Sequence, residues 1–185
     1  GARCDLAVVQ GQANLEAALG RNLLKAAPRL DGWRNRLVMA AYGKSGTALR
    51  LAPGSDLAGL LGSGRLAVAD AAISPAGAAT RAALEALGLS ESLEGRIIGA
   101  ENTGSVAFLL ASGRATLGVI QASDLVADPE LAAAATFPDD AYPPIAYSVA
   151  LSQGGESKAA PRFLAFLGTG DAQALVKASG LEVRA

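Results

Sequence analysis

The chain has 185 residues, of which 51% are apolar and 18% are charged, and its 16 basic and 17 acidic residues leave a net charge of −1. This composition is typical of a globular protein, with no basic cluster that could follow nucleic-acid phosphates and no apolar run long enough to span a membrane. The sequence has no histidine and one cysteine, Cys4. This excludes a Cys/His zinc site, a Ser-His-Asp triad and an internal disulfide. Cys4 is expected to be a small packing residue.

Strand-like apolar runs alternate with helical patterns along the whole chain. This alternation favours an α/β fold with mixed, mostly parallel sheets. In chain order the patterns predict a strand at 5–9, a helix at 13–27, a strand at 36–42, a loop at 43–55, a short helix at 56–61, a strand at 65–70, a helix at 76–88, a strand at 95–100, a helix at 104–113, a strand at 116–121, a short helix at 123–128, a strand at 131–137, a proline-rich connector at 138–144, a strand at 145–152 and helices at 160–168 and 171–180.

The middle of the chain has a strand and helix set of its own, which predicts two lobes. The first lobe is expected to contain residues 1–42 and 145–185, and the second lobe residues 43–144. A chain that leaves one lobe, forms a second and then returns to the first is typical of proteins that bind a ligand between two lobes.

Two predicted helices begin with unusually small residues. The first begins at Ser74-Pro75-Ala76-Gly77, where serine suits the N-cap and proline suits the first helical position. The N–H groups of Ala76, Gly77 and Ala78 are then expected to point outward and form a seat for an anion. The alternative, that Ser-Pro only starts a helix, stays open on these residues alone.

The second start lies in residues 100–113, where Asn102 and Thr103 are both capable caps and Gly104 and Ser105 follow. The same two interpretations apply here: a simple cap, or a backbone seat for an anion or small polar ligand.

Other polar positions give weaker signals. Gln10 and Gln121 each follow an apolar strand, where ligands bind in α/β folds, although each also suits an ordinary turn. The motif "GKSGT" at 43–47 lacks the first glycine of a phosphate-binding loop, and no pair of carboxylates has a spacing that suggests acid–base catalysis.

The order of six segments resembles the periplasmic molybdate-binding proteins of bacterial ABC importers. The most specific are "GRLAVAD", "PAG" and "ALEALGL" within 64–89 and "ATFPDDAYPPI" at 135–145. The other segments are 1–19, 34–46, 100–124 and 163–183, and together the six cover nearly the whole chain.

This resemblance implies a type II periplasmic-binding-protein-like fold, in which two hinged α/β lobes bind an oxyanion in the cleft between them. Carried over by motif, the ligand-binding residues are Ala76 and Thr103, through their backbone N–H groups, and the strand ends Gln10 and Gln121. Ser74 and Gly77 are added as candidates because they belong to the same helix start as Ala76. Gln121 stands where the family has a tyrosine. The family's opening strands and helices, with two hydroxyl ligands, precede the point where this sequence begins, so the first lobe is expected to be incomplete.

The resemblance also implies partners and a location. We expect a small tetrahedral oxyanion such as molybdate or tungstate as ligand, an ABC transporter membrane subunit as partner, no nucleic acid, no membrane insertion, no metal and no cofactor. A second copy or another chain is expected to complete the first lobe, because its open sheet edge needs a partner. The location is periplasmic or lipid-anchored outside the cell, with no signal peptide within this sequence.

Two other functions stay open. The same fold serves as the ligand-sensing domain of bacterial transcription regulators, and a degenerate relative could bind another small anion. Without histidine or a nucleophile–base pair, the chain is predicted not to be an enzyme.

Overall fold

A computed structural model describes residues 4–43 and 48–184. The chain forms two compact units, Gly1–Arg34 with Ile145–Ala185, and Asn35–Pro144. The sequence predicted the first boundary after residue 42, whereas the structure places it after Arg34. The reason is that the strand Leu37–Tyr42 pairs with two strands of the second unit.

Helices are interspersed with strands along the described residues, so the predicted α/β class is confirmed. The expected loop at 43–55 contains a two-residue strand, and its residues 44–47, with most of the "GKSGT" motif, lie outside the described residues. In chain order the elements are β1 (Leu6–Gln10), α1 (Gln12–Gly20), β2 (Leu24–Asn35), β3 (Leu37–Tyr42), β4 (Leu49–Arg50), α2 (Leu57–Leu61), β5 (Leu66–Ala69), α3 (Pro75–Ala86), β6 (Ile97–Ala100), α4 (Thr103–Ala111), β7 (Leu117–Gln121), α5 (Ala122–Ala127), β8 (Leu131–Thr136), β9 (Ile145–Ser152), α6 (Ala160–Leu167), α7 (Gly170–Ala178) and β10 (Glu182–Val183).

The first unit contains a four-stranded sheet in the order β1-β9-β2-β10. β1 pairs with β9 in antiparallel fashion, with Leu6 opposite Leu151, and β2 pairs with β10 in the same way, with Trp33 opposite Val183. The sheets were expected to be mixed and mostly parallel, and these pairs are antiparallel members of that mixed arrangement. α1 connects β1 to β2, but the two strands are not neighbours because β9 lies between them.

Both faces of this sheet are covered. Successive residues of β9 point to opposite faces. Ala150 packs with Leu15 of α1, whereas Val149 packs with Trp33 and with Leu164 of α6. The sheet of the first unit is therefore the middle layer of a three-layer arrangement.

The predicted helix at 13–27 is wrong beyond residue 20. α1 ends at Gly20, Asn22 adopts a left-handed conformation with φ of 54°, and β2 starts at Leu24. Leu23, which the predicted helix included, is consequently half exposed outside α1.

The second unit contains a six-stranded sheet in the order β4-β8-β3-β7-β5-β6. β5 is parallel to β6 and β7, and β4 is parallel to β8, while β3 is antiparallel to both β7 and β8. The helices α3 and α4 are the crossovers that parallel pairing requires. One side of the sheet therefore holds the ends of five strands, β4, β5, β6, β7 and β8, and the beginning of β3. We call this side the carboxyl edge.

Candidate functional site

Three neighbouring strands of the second unit, β7, β5 and β6, end at the carboxyl edge, and each is followed by a helix. β5 and β6 end level with each other, because Ala69 lies opposite Ala100 and the Asp70 N–H donates to the Ala100 carbonyl at 2.7 Å. The structure therefore brings the start of α3, the start of α4 and Gln121 to the same edge. This is where ligands bind in open α/β sheets.

The start of α3 combines capping with one open donor. The Ser74 Oγ accepts the Gly77 N–H at 3.3 Å, and the Ser74 carbonyl accepts the Ala78 N–H at 2.9 Å. Of the three N–H groups predicted to be open, only that of Ala76 lacks a partner among the described residues. Ser74 therefore caps the helix, and the Ala76 N–H is open, so that the anion seat stays a prediction.

Gly77 is required by packing. An ideal Cβ at this position would lie 2.5 Å from the Ala69 carbonyl oxygen and 2.6 Å from that of Asp70. Both are backbone atoms of the β5–α3 turn, which cannot move aside as a flexible side chain can. A loss of anion binding in a Gly77 variant would therefore not identify a ligand contact.

The start of α4 has more open donors. The Asn102 Oδ1 accepts the Ser105 N–H at 2.9 Å, and the Asn102 carbonyl accepts the Val106 N–H at 3.1 Å. Within the part of the chain that the structure describes, the N–H groups of Thr103 and Gly104 have no partner. Asn102 is thus the cap, and the two following N–H groups remain available at the positive end of the helix.

Gln121 is buried at the end of β7, with 8% of its surface exposed. Its N–H donates to the Asp124 Oδ2 at 2.8 Å, and it lies opposite Leu37 of β3. The residue thus occupies the predicted strand end, and its backbone N–H is used within the protein.

Gln10 belongs to the first unit and ends β1, as predicted. It lies opposite Tyr147 of β9, and its carbonyl accepts a hydrogen bond from the Asn14 Nδ2 at 3.0 Å. Its role as a ligand residue stays a prediction.

Sequence reasoning missed two arginines at the carboxyl edge. Arg36 precedes β3 and Arg50 ends β4, and together with Thr136, Asp139 and Asp140 they line a cavity of about 530 Å³. Only the strand order places these residues together, because β4 was not predicted. The cavity combines positive and negative groups, so it is not a purely cationic pocket.

Two carboxylates also follow strands at this edge. Asp70 comes after β5, where its Oδ1 accepts the Ala72 N–H at 2.8 Å, and Glu101 comes after β6. Both line a mostly apolar cavity of about 780 Å³ beside α3, together with Ile73, Leu84 and Ile97. The carboxylate of Asp70 is therefore committed to its own turn.

A buried polar network lies where the chain enters and leaves the second unit. The Asn35 Nδ2 donates to the Ser123 Oγ at 2.8 Å, and the Asn35 Oδ1 accepts the Arg36 N–H at 3.0 Å. The Tyr142 hydroxyl accepts the Leu37 N–H at 3.1 Å. These bonds hold the beginning of β3 against α5 and against the connector that precedes β9.

Three further features bear on the chemistry. Cys4 is exposed, not packed as expected. Across residues 4–43 and 48–184, no three His, Cys, Asp or Glu side chains gather into a group that could hold a metal ion. No helix in these ranges has the length and apolar character needed to cross a membrane.

The chain is similar to known binding proteins over its whole length. It is 29% identical to the molybdate-binding protein ModA of Escherichia coli over all 185 residues, which span 72% of that protein. It also has the fold of the periplasmic molybdate-binding protein of Azotobacter vinelandii, with a TM-score of 0.83, 21% identity and coverage of 100% of this chain and 80% of that one. The substrate-binding domain of a molybdenum ABC transporter from Clostridium difficile gives a TM-score of 0.76 at 24% identity, with coverage of 100% and 79%.

These likenesses confirm the predicted type II periplasmic-binding-protein-like fold and the resemblance stated from the sequence. The family model described as bacterial extracellular solute-binding protein matches residues 1–182. Because the match includes nearly every residue of both units, the chain belongs to the family of bacterial extracellular solute-binding proteins.

Proposed function

We propose that the chain binds a small tetrahedral oxyanion at the carboxyl edge of the second unit. The observation that carries this proposal is that two helices begin after adjacent parallel strands with backbone donors left open. The donors are the N–H groups of Ala76, Thr103 and Gly104, which have no partner among the residues that the structure describes. Oriented N–H groups at helix N-termini are favourable partners for anions.

The donors suit a fully ionised anion because they are neutral. They stabilise negative charge through the positive ends of two helices, without a counter-ion that would have to be desolvated. Gln121 is buried at the same edge, at the position where the resemblance implies a tyrosine in the family. Molybdate is the first ligand to test, because two similar proteins are named as molybdate-binding.

The members of a solute-binding family bind and do not catalyse, which confirms the prediction that the chain is not an enzyme. Such proteins bind their ligand as a solute and not as a cofactor. Beyond this, we propose that the chain delivers the oxyanion to the membrane subunit of an ABC importer, in the periplasm or anchored outside the cell. Support comes from the extracellular family description and from the periplasmic relative.

The test is calorimetric titration with molybdate, tungstate, sulfate and phosphate, using wild type and Asn102→Asp. Aspartate caps a helix as well as asparagine, so folding is retained, but its charge lies beside the proposed anion. We expect wild type to bind at least one of these oxyanions and Asn102→Asp to lose about tenfold or more in affinity.

Thr169→Asp is the matched control. Thr169 caps α7, where its hydroxyl accepts the Ala172 N–H at 3.5 Å, and the proposed site does not include this helix. The substitution adds the same charge, so its affinity should stay within about twofold of wild type. Absence of binding by wild type, or equal losses in both variants, contradicts the proposal.

A further inference from the structure

The side chain of Thr103 is buried without a hydrogen-bond partner. The residue exposes 8% of its surface, and no described residue pairs with its hydroxyl. Burying a hydroxyl without a partner costs free energy, so most buried hydroxyls in proteins are bonded to the protein or to water. The partner of the Thr103 hydroxyl must therefore come from outside the described residues, as water or as a ligand.

Thr80, in the same unit, shows how a buried threonine normally solves this problem. It exposes 2% of its surface, and its Oγ1 donates to the carbonyl of Ala76, four residues earlier in α3, at 2.8 Å. Thr103 cannot do the same because it is the first residue of α4, and the residue four positions earlier, Gly99, belongs to β6. The position of Thr103 in the helix leaves its hydroxyl without an internal acceptor.

Thr103 is also not needed to begin the helix. Asn102 already caps α4 through its bond with the Ser105 N–H. Threonine has a lower helix propensity than alanine, and a hydroxyl at this position adds nothing to the cap. Local stability therefore does not account for this residue.

The hydroxyl of Thr103 opens to solvent. Among the described residues, every side-chain nitrogen or oxygen that is fully enclosed and not on an exposed residue has a partner. Since the Thr103 Oγ1 has none, it is not fully enclosed. The hydroxyl lies on the residue whose own backbone N–H is open, and the next residue, Gly104, has an open N–H as well.

We infer that the Thr103 hydroxyl is a ligand-binding group that donates a third hydrogen bond to the anion at the start of α4, beside the two backbone N–H groups. The inference rests on the proposed function and adds a side-chain contact to it. Because a side chain, unlike a backbone N–H, can be exchanged, the contribution of the Thr103 hydroxyl to affinity can be measured by substitution.

The test compares Thr103→Val with Thr103→Ser. Valine keeps the branched shape and the backbone N–H but removes the hydroxyl, whereas serine keeps the hydroxyl. Titration with the oxyanion that wild type binds should show a loss of roughly tenfold to hundredfold for Thr103→Val, as expected for a hydrogen bond to a charged group. Thr103→Ser should stay within about threefold of wild type.

Thermal unfolding without any anion gives an independent result of opposite sign. With no bond to lose inside the protein, Thr103→Val should unfold at the wild-type temperature or above it. A lower unfolding temperature shows an internal bond and overturns the inference, as does wild-type affinity in Thr103→Val. Wild type that binds none of the four oxyanions overturns the proposed function as well, so the two failures are distinguishable.

Discussion

Gly77→Ala should destabilise the second unit, although alanine normally favours a helix. The added Cβ would lie 2.5, 2.6 and 2.7 Å from three backbone atoms of Ala69 and Asp70, so these atoms must move by several tenths of an ångström. Overpacking of this kind costs about 1–3 kcal/mol. The gain in helix propensity is at most about 1 kcal/mol. Because all three contacts are with backbone, we expect a net loss of about 1–2 kcal/mol.

Urea unfolding followed by far-UV circular dichroism measures this loss, and hydrogen exchange in β5 and α3 locates it. Trp33, the only tryptophan, lies in the first unit, so its fluorescence provides an internal reference. Gly99→Ala is the matched control, because a Cβ there meets nothing within 4 Å. Its stability should be unchanged or raised by about 0.5 kcal/mol. If Gly77→Ala is as stable as Gly99→Ala, the packing argument is refuted.

Two further substitutions test the polar contacts. Asn35→Ala should lower the stability of the second unit by about 1–3 kcal/mol, because the buried partners of Asn35 lose their hydrogen bonds. A double-mutant cycle with Ser123→Ala, measured by urea unfolding, should give a coupling energy of about 1 kcal/mol. Purely additive losses would exclude the hydrogen bond between Asn35 and Ser123. In the first unit, burial by itself raises the pKa of Asp31, but hydrogen bonds from the Ser148 hydroxyl and the Arg29 guanidinium outweigh it and hold the pKa below its usual value. A lowered pKa stabilises the fold above the unfolded value of about 3.9, and this stability is lost as the pH falls through the folded value. Asp31→Asn should therefore be less stable than wild type at pH 7, and the difference in stability should shrink below about pH 4. Urea unfolding followed by Trp33 fluorescence measures this difference at each pH. A difference in stability that does not change with pH contradicts the ionic contribution of Asp31.

The elements of the second unit other than β4 could be predicted because their sequence signals are local. Ser74 and Asn102 are strong caps, and the apolar runs of β5, β6 and β7 are separated by helices of ordinary length. β2 could not be predicted in this way. Its alanines and Leu24 continue a helical pattern, and it becomes a strand because it lies between β9 and β10, which come from the far end of the sequence.

The sequence predicted which helix starts follow strands, but not the hydrogen bonds formed at those starts. Strand–helix order indicated that both helix starts follow strands, where α/β folds bind ligands. It could not indicate that Ser74 would occupy the Gly77 N–H, or that Asn102 and not Thr103 would be the cap. Those outcomes depend on side-chain rotamers that competing hydrogen bonds select.

The separation between β1 and its partner has a consequence for synthesis on the ribosome. Leu6 pairs with Leu151, so β1 is made 145 residues before its neighbour in the sheet. At about 5–20 residues per second, that interval lasts roughly 7–30 s. The second unit is continuous, and the Leu37 N–H meets the Tyr142 hydroxyl near its two ends, so it can fold during this time. The nascent β1 meanwhile keeps an unpaired apolar edge, which is a ready binding site for chaperones until β9 emerges.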